Sequence, residues 1–195
     1  MLKIIAVTYR QTTELEVFLG SLLLQTCPAW SVELIHDGKV PDDVCEVMKK
    51  YSLDKRIKFI CSKNRVGNWG HKNRNIGLTH IIPCSTDWVL QTNADNYYTP
   101  EFVEQVLSAA ALENVGIVMT DTVHSHLHYG YHSSRLFEGG LDLGCFIVRS
   151  DIAVKTGFTK EHFSADGFYA VECAKECERQ GLVAAHISKA LFVHN

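Results

Sequence analysis

The sequence predicts an α/β fold, a mainly parallel central sheet with helices on both faces. Three observations point there. Short apolar runs alternate along the chain with longer runs whose apolar residues recur at helical spacing. Several of the apolar runs end abruptly in clusters of polar side chains, as strands do at the binding edge of an open sheet. A chain of 195 residues that is 46% hydrophobic can bury one substantial core, so a single domain over residues 1–195 is the natural count.

The elements follow in order. Lys3–Val7 reads as a strand, and Thr13–Gln25 as a helix with Leu15, Phe18, Leu19, Leu22 and Leu23 on one face. Val32–Ile35 is a second strand ending at His36-Asp37-Gly38, and Pro41–Tyr51 a second helix. Ile57–Ile60 is a third strand, followed by a polar loop from Ser62 to Gly70 and a helix over His71–Ile81. Trp88–Gln91 is a fourth strand. Pro100–Leu112 is the next helix, with Thr99 as its N-cap and Pro100 at its first position. Val115–Thr120 and Gly144–Val148 are strands, separated by a His-rich segment from His124 to His132. Ser150–Thr156 is a short helix, Asp166–Gln180 a longer one closed by Gly181, and Val183–Ile187 a last strand. The chain stops at Leu191-Phe192-Val193-His194-Asn195 without a tail, which suits a domain excised from a longer protein.

A net charge of −3 and a pI near 6.3 argue against a nucleic acid as the main partner. No apolar run approaches a membrane span, and the start is too short and strand-like for a signal peptide. The seven cysteines are odd in number and scattered. Cys173 and Cys177 are spaced for a helix face and not for a CxxC motif. Reduced, mostly buried thiols in a cytoplasmic protein are expected.

Asp87 to Asn96 is the most informative stretch. A strand-like run leads into Asn93-Ala94-Asp95-Asn96, one carboxylate flanked by amide oxygens. Mg²⁺ and Mn²⁺ prefer such ligands, completed by substrate phosphates. An Asx-rich turn is the plainer reading of the same residues. Thr8-Tyr9-Arg10 and His36-Asp37-Gly38 also follow strands, so all three clusters can line one crevice, although Asp-Gly is a common turn dipeptide. The loop from Asn64 to Asn75 carries Arg65, His71, Lys72 and Arg74 beside two glycines. It suits an anion or a nucleobase edge, or it is a solvated surface loop. Neither GxxxxGK[ST] nor GxGxxG occurs. Asp166 opens a helix, where an acid stabilises the dipole or acts as a general base held rigidly. His124, His126, His128 and His132 alternate like a strand and could bind transition metals. A loop over a sugar pocket is the preferred reading, because no Cys or carboxylate cluster completes a zinc site.

These pieces, in this order, resemble the inverting GT-A glycosyltransferases of family 2. Val7-Thr8-Tyr9-Arg10 is similar to the opening V-T-Y-N strand, and Ser21-Leu22-Leu23-Leu24-Gln25-Thr26 to the S-L-L-x-Q-T helix. His36-Asp37-Gly38-Lys39 stands where the family has D-D-G-S. Asn64 to Gly67 and Arg74 to Leu78 resemble the N-x-G and R-N-x-G-L segments. Asn93-Ala94-Asp95-Asn96 replaces D-A-D-D, and Phe146 to Ser150 with Gly157-Phe158 resembles R-R-x…G-G-F. Ala165-Asp166 takes the place of E-D, and His194 that of the late metal-binding histidine. The compact size also resembles that of small viral transferases that modify capsids.

The resemblance implies a GT-A fold and transfer of a sugar from a UDP-sugar to a hydroxyl of a glycan or glycoprotein. It implies nucleotide contacts from Thr8, Tyr9, Arg10, Asp37, Asn64, Arg74, Asn93 and Ala94. Asp95 and His194 would hold Mn²⁺ or Mg²⁺, and Asp166 would be the catalytic base. Asn93 and Asn96 stand where the family has carboxylates, which leaves the metal site less charged. Two other functions compete. A nucleotidyltransferase needs a Gly-rich phosphate loop, and Thr8 to Thr13 has no glycine. A catalytically silent sugar-nucleotide or glycan-binding module accounts for the lost carboxylates.

Overall fold

The computed structural model describes residues 1–162 and 164–195. Its strands are β1 (Leu2–Thr8), β2 (Trp30–His36), β3 (Ile57–Cys61), β4 (Trp88–Asn93), β5 (Tyr97–Tyr98), β6 (Val115–His124), β7 (Gly130–His132), β8 (Phe146–Arg149) and β9 (Val183–His194). Its α-helices are α1 (Thr12–Leu23), α2 (Asp42–Tyr51), α3 (His71–Thr79), α4 (Phe102–Ala110), α5 (Ser150–Thr156) and α6 (Ala165–Arg179). All the strands join one sheet in the order β3-β2-β1-β4-β8-β6-β9-β5, with β7 hydrogen-bonded to β6.

The half built from β3, β2, β1 and β4 is parallel, as the alternating pattern predicts. The other half is mixed. β8 runs antiparallel to both β4 and β6, and β9 returns parallel to β6. Alternation along the strands divides the core in two. Ile4, Leu34, Leu90, Val118 and Ile147 pack on one face against α1, α2 and α4 through Phe18, Val44 and Phe102. Ile5, Ile35, Val89, Ile117 and Val148 face the other way, against α3, α5 and α6 through Leu78, Ile152 and Tyr169. Each such side chain, fully buried, contributes about 1.5–3 kcal/mol. Helices therefore cover both faces. Among the described residues no helix is long and apolar enough to cross a membrane.

α4 begins at Phe102, and Thr99 is not its side-chain cap. Gln25, from the end of α1, takes that place. Its amide oxygen accepts from Val103 N at 2.9 Å while its Nε2 donates to Thr99 O at 2.8 Å. The His-rich segment is not one strand: β6 ends at His124, a 3₁₀ turn covers Ser125–Leu127, and His128 and Tyr129 take positive φ before β7. β9 runs on to His194, seven residues beyond the expected Ile187, because bulges near Asp121 re-register it against β6. All seven cysteines are free, but only Cys145, Cys173 and Cys177 are buried, and Cys61 is exposed.

Two glycines set the position of α3. A Cβ on Gly77 would lie 2.5 Å from Ile5 Cγ2, so the helix sits directly on β1. Gly70 enters α3 at φ +79°, where a Cβ would stand 2.8 Å from Val7 and 2.9 Å from Arg74 Nη1. That close seat brings His71 and Arg74 under the sheet edge.

Candidate functional site

The C-terminal ends of β1, β2 and β4 open into a cavity of about 440 Å³. Thr8, Tyr9, Asp37, Asn93 and Asp95 line it from the strand ends, and Arg65, Gly67, Asn68, Trp69 and Gly70 from the loop after β3. Asp37 organises this loop. Its carboxylate accepts from Val66 N at 2.8 Å, Gly67 N at 3.0 Å and Asn73 Nδ2 at 3.1 Å. The expected Asp37-Gly38 turn is present, with Gly38 at φ +85°. His36, which stands in place of an acid, is fully buried and its Nδ1 lies 3.0 Å from Gly38 O. Arg65 places its guanidinium 4.1 Å above the Tyr9 ring. Thr8 Oγ1 is buried without a partner.

Asp95 is held by a single hydrogen bond, from Gln11 Nε2 to its Oδ2 at 3.0 Å, while its Oδ1 is buried and unpartnered. Burial pushes its carboxyl above the ordinary range, opposed by the Gln11 hydrogen bond. A buried, unpaired carboxylate oxygen at a strand end fits a hard cation. The two neighbouring amides serve other partners. Asn93 Oδ1 accepts from Arg74 Nη2 at 2.6 Å, and Asn96 Nδ2 donates to Thr92 Oγ1 at 3.0 Å.

A second cavity of about 450 Å³ adjoins the first across Trp69 and Asn93. Arg74, Asp142, Asp166 and His194 line it, with His124 and His126. Arg74 is buried, and its Nη1 donates to Trp69 O at 2.7 Å. Burial works against its charge, and Asp166, Asp142 and Asp95 work for it. Asp166 lies in the first turn of α6. Among the described residues its Oδ1 is buried without a hydrogen-bond partner. Burial raises its pKa, with Arg74 opposing. His71 Nδ1 is 3.5 Å from that oxygen. The imidazole stacks on Phe158 and is lowered to a pKa of about 4, chiefly by burial and then by Arg74. His71 is therefore neutral beside an unpaired carboxylate.

The end of β9 completes the second cavity. The register sets His194 beside His124, with ring centroids 4.6 Å apart. His194 Nε2 lies 3.3 Å from Asp142 Oδ2.

A family model described as glycosyl transferase family 2 matches residues 3–150. The chain belongs to glycosyltransferase family 2. No curated protein sequence matches it. Solved structures show the same GT-A fold at low identity. The first 349 residues of S. aureus TarS superpose with a TM-score of 0.77 at 14% identity, over all of this chain and 60% of that one. The same protein in complex with UDP-GlcNAc gives 0.76 at 16% identity, over 98% and 57%. The mannosyltransferase PcManGT from Pyrobaculum calidifontis, in complex with GDP-Man and Mn²⁺, gives 0.74 at 14%, over 98% and 56%. The chain thus spans less than two thirds of the length of these structures.

Within this glycosyltransferase domain, the two cavities gather most of the residues singled out in the sequence. Thr8, Tyr9, Asp37, Asn93 and Asp95 line the first, and Arg74, Asn93, Asp166 and His194 the second. Ala94 is fully buried, with its N–H bonded to Val7 O at 2.9 Å, so its place is in the backbone of the strand end. Arg10 and Asn64 do not join them. Arg10 is exposed at φ +58° with its guanidinium near Tyr9, and Asn64 is exposed with its carbonyl accepting from Ser62 Oγ. Gln11, Asn73 and Asp142 were not foreseen. Their partners are 84, 36 and, for His194, 52 residues away, and no local pattern signals such contacts.

Proposed function

We propose that the domain transfers a hexose-type sugar from a UDP-sugar donor to a hydroxyl of a glycan or glycoprotein, with Mn²⁺ or Mg²⁺ and with inversion at the anomeric carbon. The adjoining cavities carry this reading. One offers nucleotide-sized space with an unpaired Asp95 oxygen, and the other, which shares Trp69 and Asn93 with it, presents an unpaired Asp166 oxygen. Tyr9 and Arg65 form a stacked platform suited to a nucleobase, and the loop tied down by Asp37 would face the uridine. Arg74 supplies fixed positive charge for the departing diphosphate. The cation, held by Asp95 with His194 nearby, would neutralise the diphosphate as it leaves. Asp166 would take the proton of the acceptor hydroxyl, and the neutral His71 beside it does not compete as a cation. The solved complexes with UDP-GlcNAc and with GDP-Man and Mn²⁺ support a nucleotide-sugar donor and a divalent metal.

One observation favours a second reading, a donor-binding module without transfer. Asn93 and Asn96 are both committed to protein partners, which leaves Asp95 the lone carboxylate of its motif. A thermal-shift screen of UDP-sugars and GDP-mannose, with and without Mn²⁺, tests both. A UDP-sugar at one hundred times its Kd stabilises the fold by about 2.7 kcal/mol. Metal-dependent release of UDP then separates transferase from module. Absence of stabilisation by every donor would overturn both readings.

A further inference from the structure

We propose that His124, His126 and His194 form a binding site for a divalent transition cation of the imidazole-preferring class, Zn²⁺ foremost, which fills without nucleotide. One ring nitrogen from each of the three lies within 4.8 Å of the others. The rings are packed together, His124 on His194 at 4.6 Å between centroids and His126 at 5.0 Å from each. Three nitrogens around one Zn²⁺, each about 2.0–2.1 Å from the ion, stand roughly 3.3 Å apart, so a modest inward rotation closes the set. His126 is exposed and on a 3₁₀ turn, and is free to make that rotation.

Two further observations point to a ligand. His124 Nδ1 and His194 Nδ1 are buried with no hydrogen-bond partner, which buried ring nitrogens rarely tolerate. Asp142 Oδ2 lies 3.3 Å from the other nitrogen of His194. A carboxylate on that side of the ring favours the proton on Nε2 and leaves the Nδ1 lone pair for a metal. The bulges in the β6–β9 ladder make the arrangement. Pairing runs from Thr120↔Ile187 to His124↔His194, so β9 slips three residues and brings His194 level with His124.

The donor set decides the ion. Imidazole suits Zn²⁺, Cu²⁺, Ni²⁺ and Fe²⁺, whereas Mg²⁺ demands oxygen ligands and keeps its water. The proposed site shares His194 with the cation site at Asp95 but differs from it in chemistry, three imidazoles against one carboxylate. An ion there would pin the Ser125–Leu127 turn to the end of β9 and place positive charge on the wall of the Asp166 cavity. The inference goes beyond the transferase reading and needs no donor to be tested.

The test is a titration of the chelator-treated chain, without nucleotide, with Zn²⁺ by calorimetry and with Co²⁺ by its ligand-field absorption. One equivalent of either ion is expected to bind. Zn²⁺ should bleach the Co²⁺ spectrum and excess Mg²⁺ should not. His126→Ala should lower Zn²⁺ affinity at least about tenfold, and its exposed position spares the fold, checked by circular dichroism. His128→Ala, just after the same turn but outside the cluster, should bind as the parent does. Absence of saturable binding, equal affinity in His126→Ala and the parent, equal losses in His126→Ala and His128→Ala, or bleaching by Mg²⁺ would each overturn the proposal. A thiolate charge-transfer band would do the same, because it assigns the ion to cysteine. Failure of Asp95→Ala to affect transfer would strike the transferase reading and leave this one intact.

Discussion

Arg74 donates a 2.6 Å hydrogen bond from Nη2 to Oδ1 of Asn93, and so joins the buried start of α3 to the end of β4. A carboxylate at position 93 would form a buried ion pair with Arg74 and neutralise it. The neutral amide orients the guanidinium without adding a further carboxylate to Asp166, Asp142 and Asp95 around it. The same exchange leaves Asp95 as the carboxylate of the strand end.

Asp95→Ala is expected to abolish metal-dependent donor hydrolysis and transfer while the fold persists, because the side chain accepts one hydrogen bond at a strand end outside the core. Mn²⁺ and UDP should bind cooperatively in the parent, since one carboxylate needs diphosphate oxygens to complete a metal shell. Calorimetry checks this. Full activity in EDTA would remove Asp95 from the mechanism.

Asp166→Asn is expected to bind donor normally and lose about 10²–10⁴-fold in acceptor-dependent transfer. Its stability should move the other way. Burial raises the native pKa of Asp166 above the unfolded one, so ionising the carboxyl costs more in the native state, and stability falls as pH rises through the interval between the two. The neutral Asn escapes that penalty, and its melting temperature at neutral pH should equal or exceed that of the parent. A helix-capping role for Asp166 predicts near-parent transfer, because Asn still caps a helix. For the same reason the acid limb of kcat/KM should lie above the ordinary carboxylate range.

Asp37→Ala should weaken UDP binding and also destabilise the protein. Three donors, two of them backbone N–H groups of the loop after β3, lose a charged acceptor. Each hydrogen bond to a charged group contributes about 1.5–3 kcal/mol, and the exposed loop recovers part of that from water. Urea unfolding should show a loss of at least about 2 kcal/mol. An unchanged midpoint together with unchanged UDP affinity would refute the organising role.

Stability should fall as pH drops from about 6.5 to about 4, on the order of 2–3 kcal/mol from His71 alone. The unfolded imidazole takes up a proton near 6.5, but the buried native one resists until about 4, so the unfolded state binds more protons throughout that interval. Comparing denaturant midpoints of the parent and His71→Gln across this range measures the term. Parallel pH profiles for the two would remove it.

The sequence by itself determined the alternation of strands and helices, the parallel half of the sheet and the family, because apolar periodicity and strand-end motifs are local signals. It brought Asp37 and Asp95 to one cavity, since parallel strand ends share an edge, whereas Arg74 and Asp166, carried by helices, line the adjoining one. Tertiary structure decided the rest. β8 enters antiparallel because it continues the direction of β7 along the same edge of β6, β7 pairing with Thr122 to His124 and β8 with Ile117 to Met119, which no residue pattern in Gly144–Val148 encodes. Gln25 caps α4 in place of Thr99, the two sites brought together across 78 residues by packing of α1 against β5, just before α4. His194 meets His124 only because bulges slip β9 along β6. Contacts of that kind depend on register between distant strands, and register is set by the packed sheet and not by the residues that finally touch.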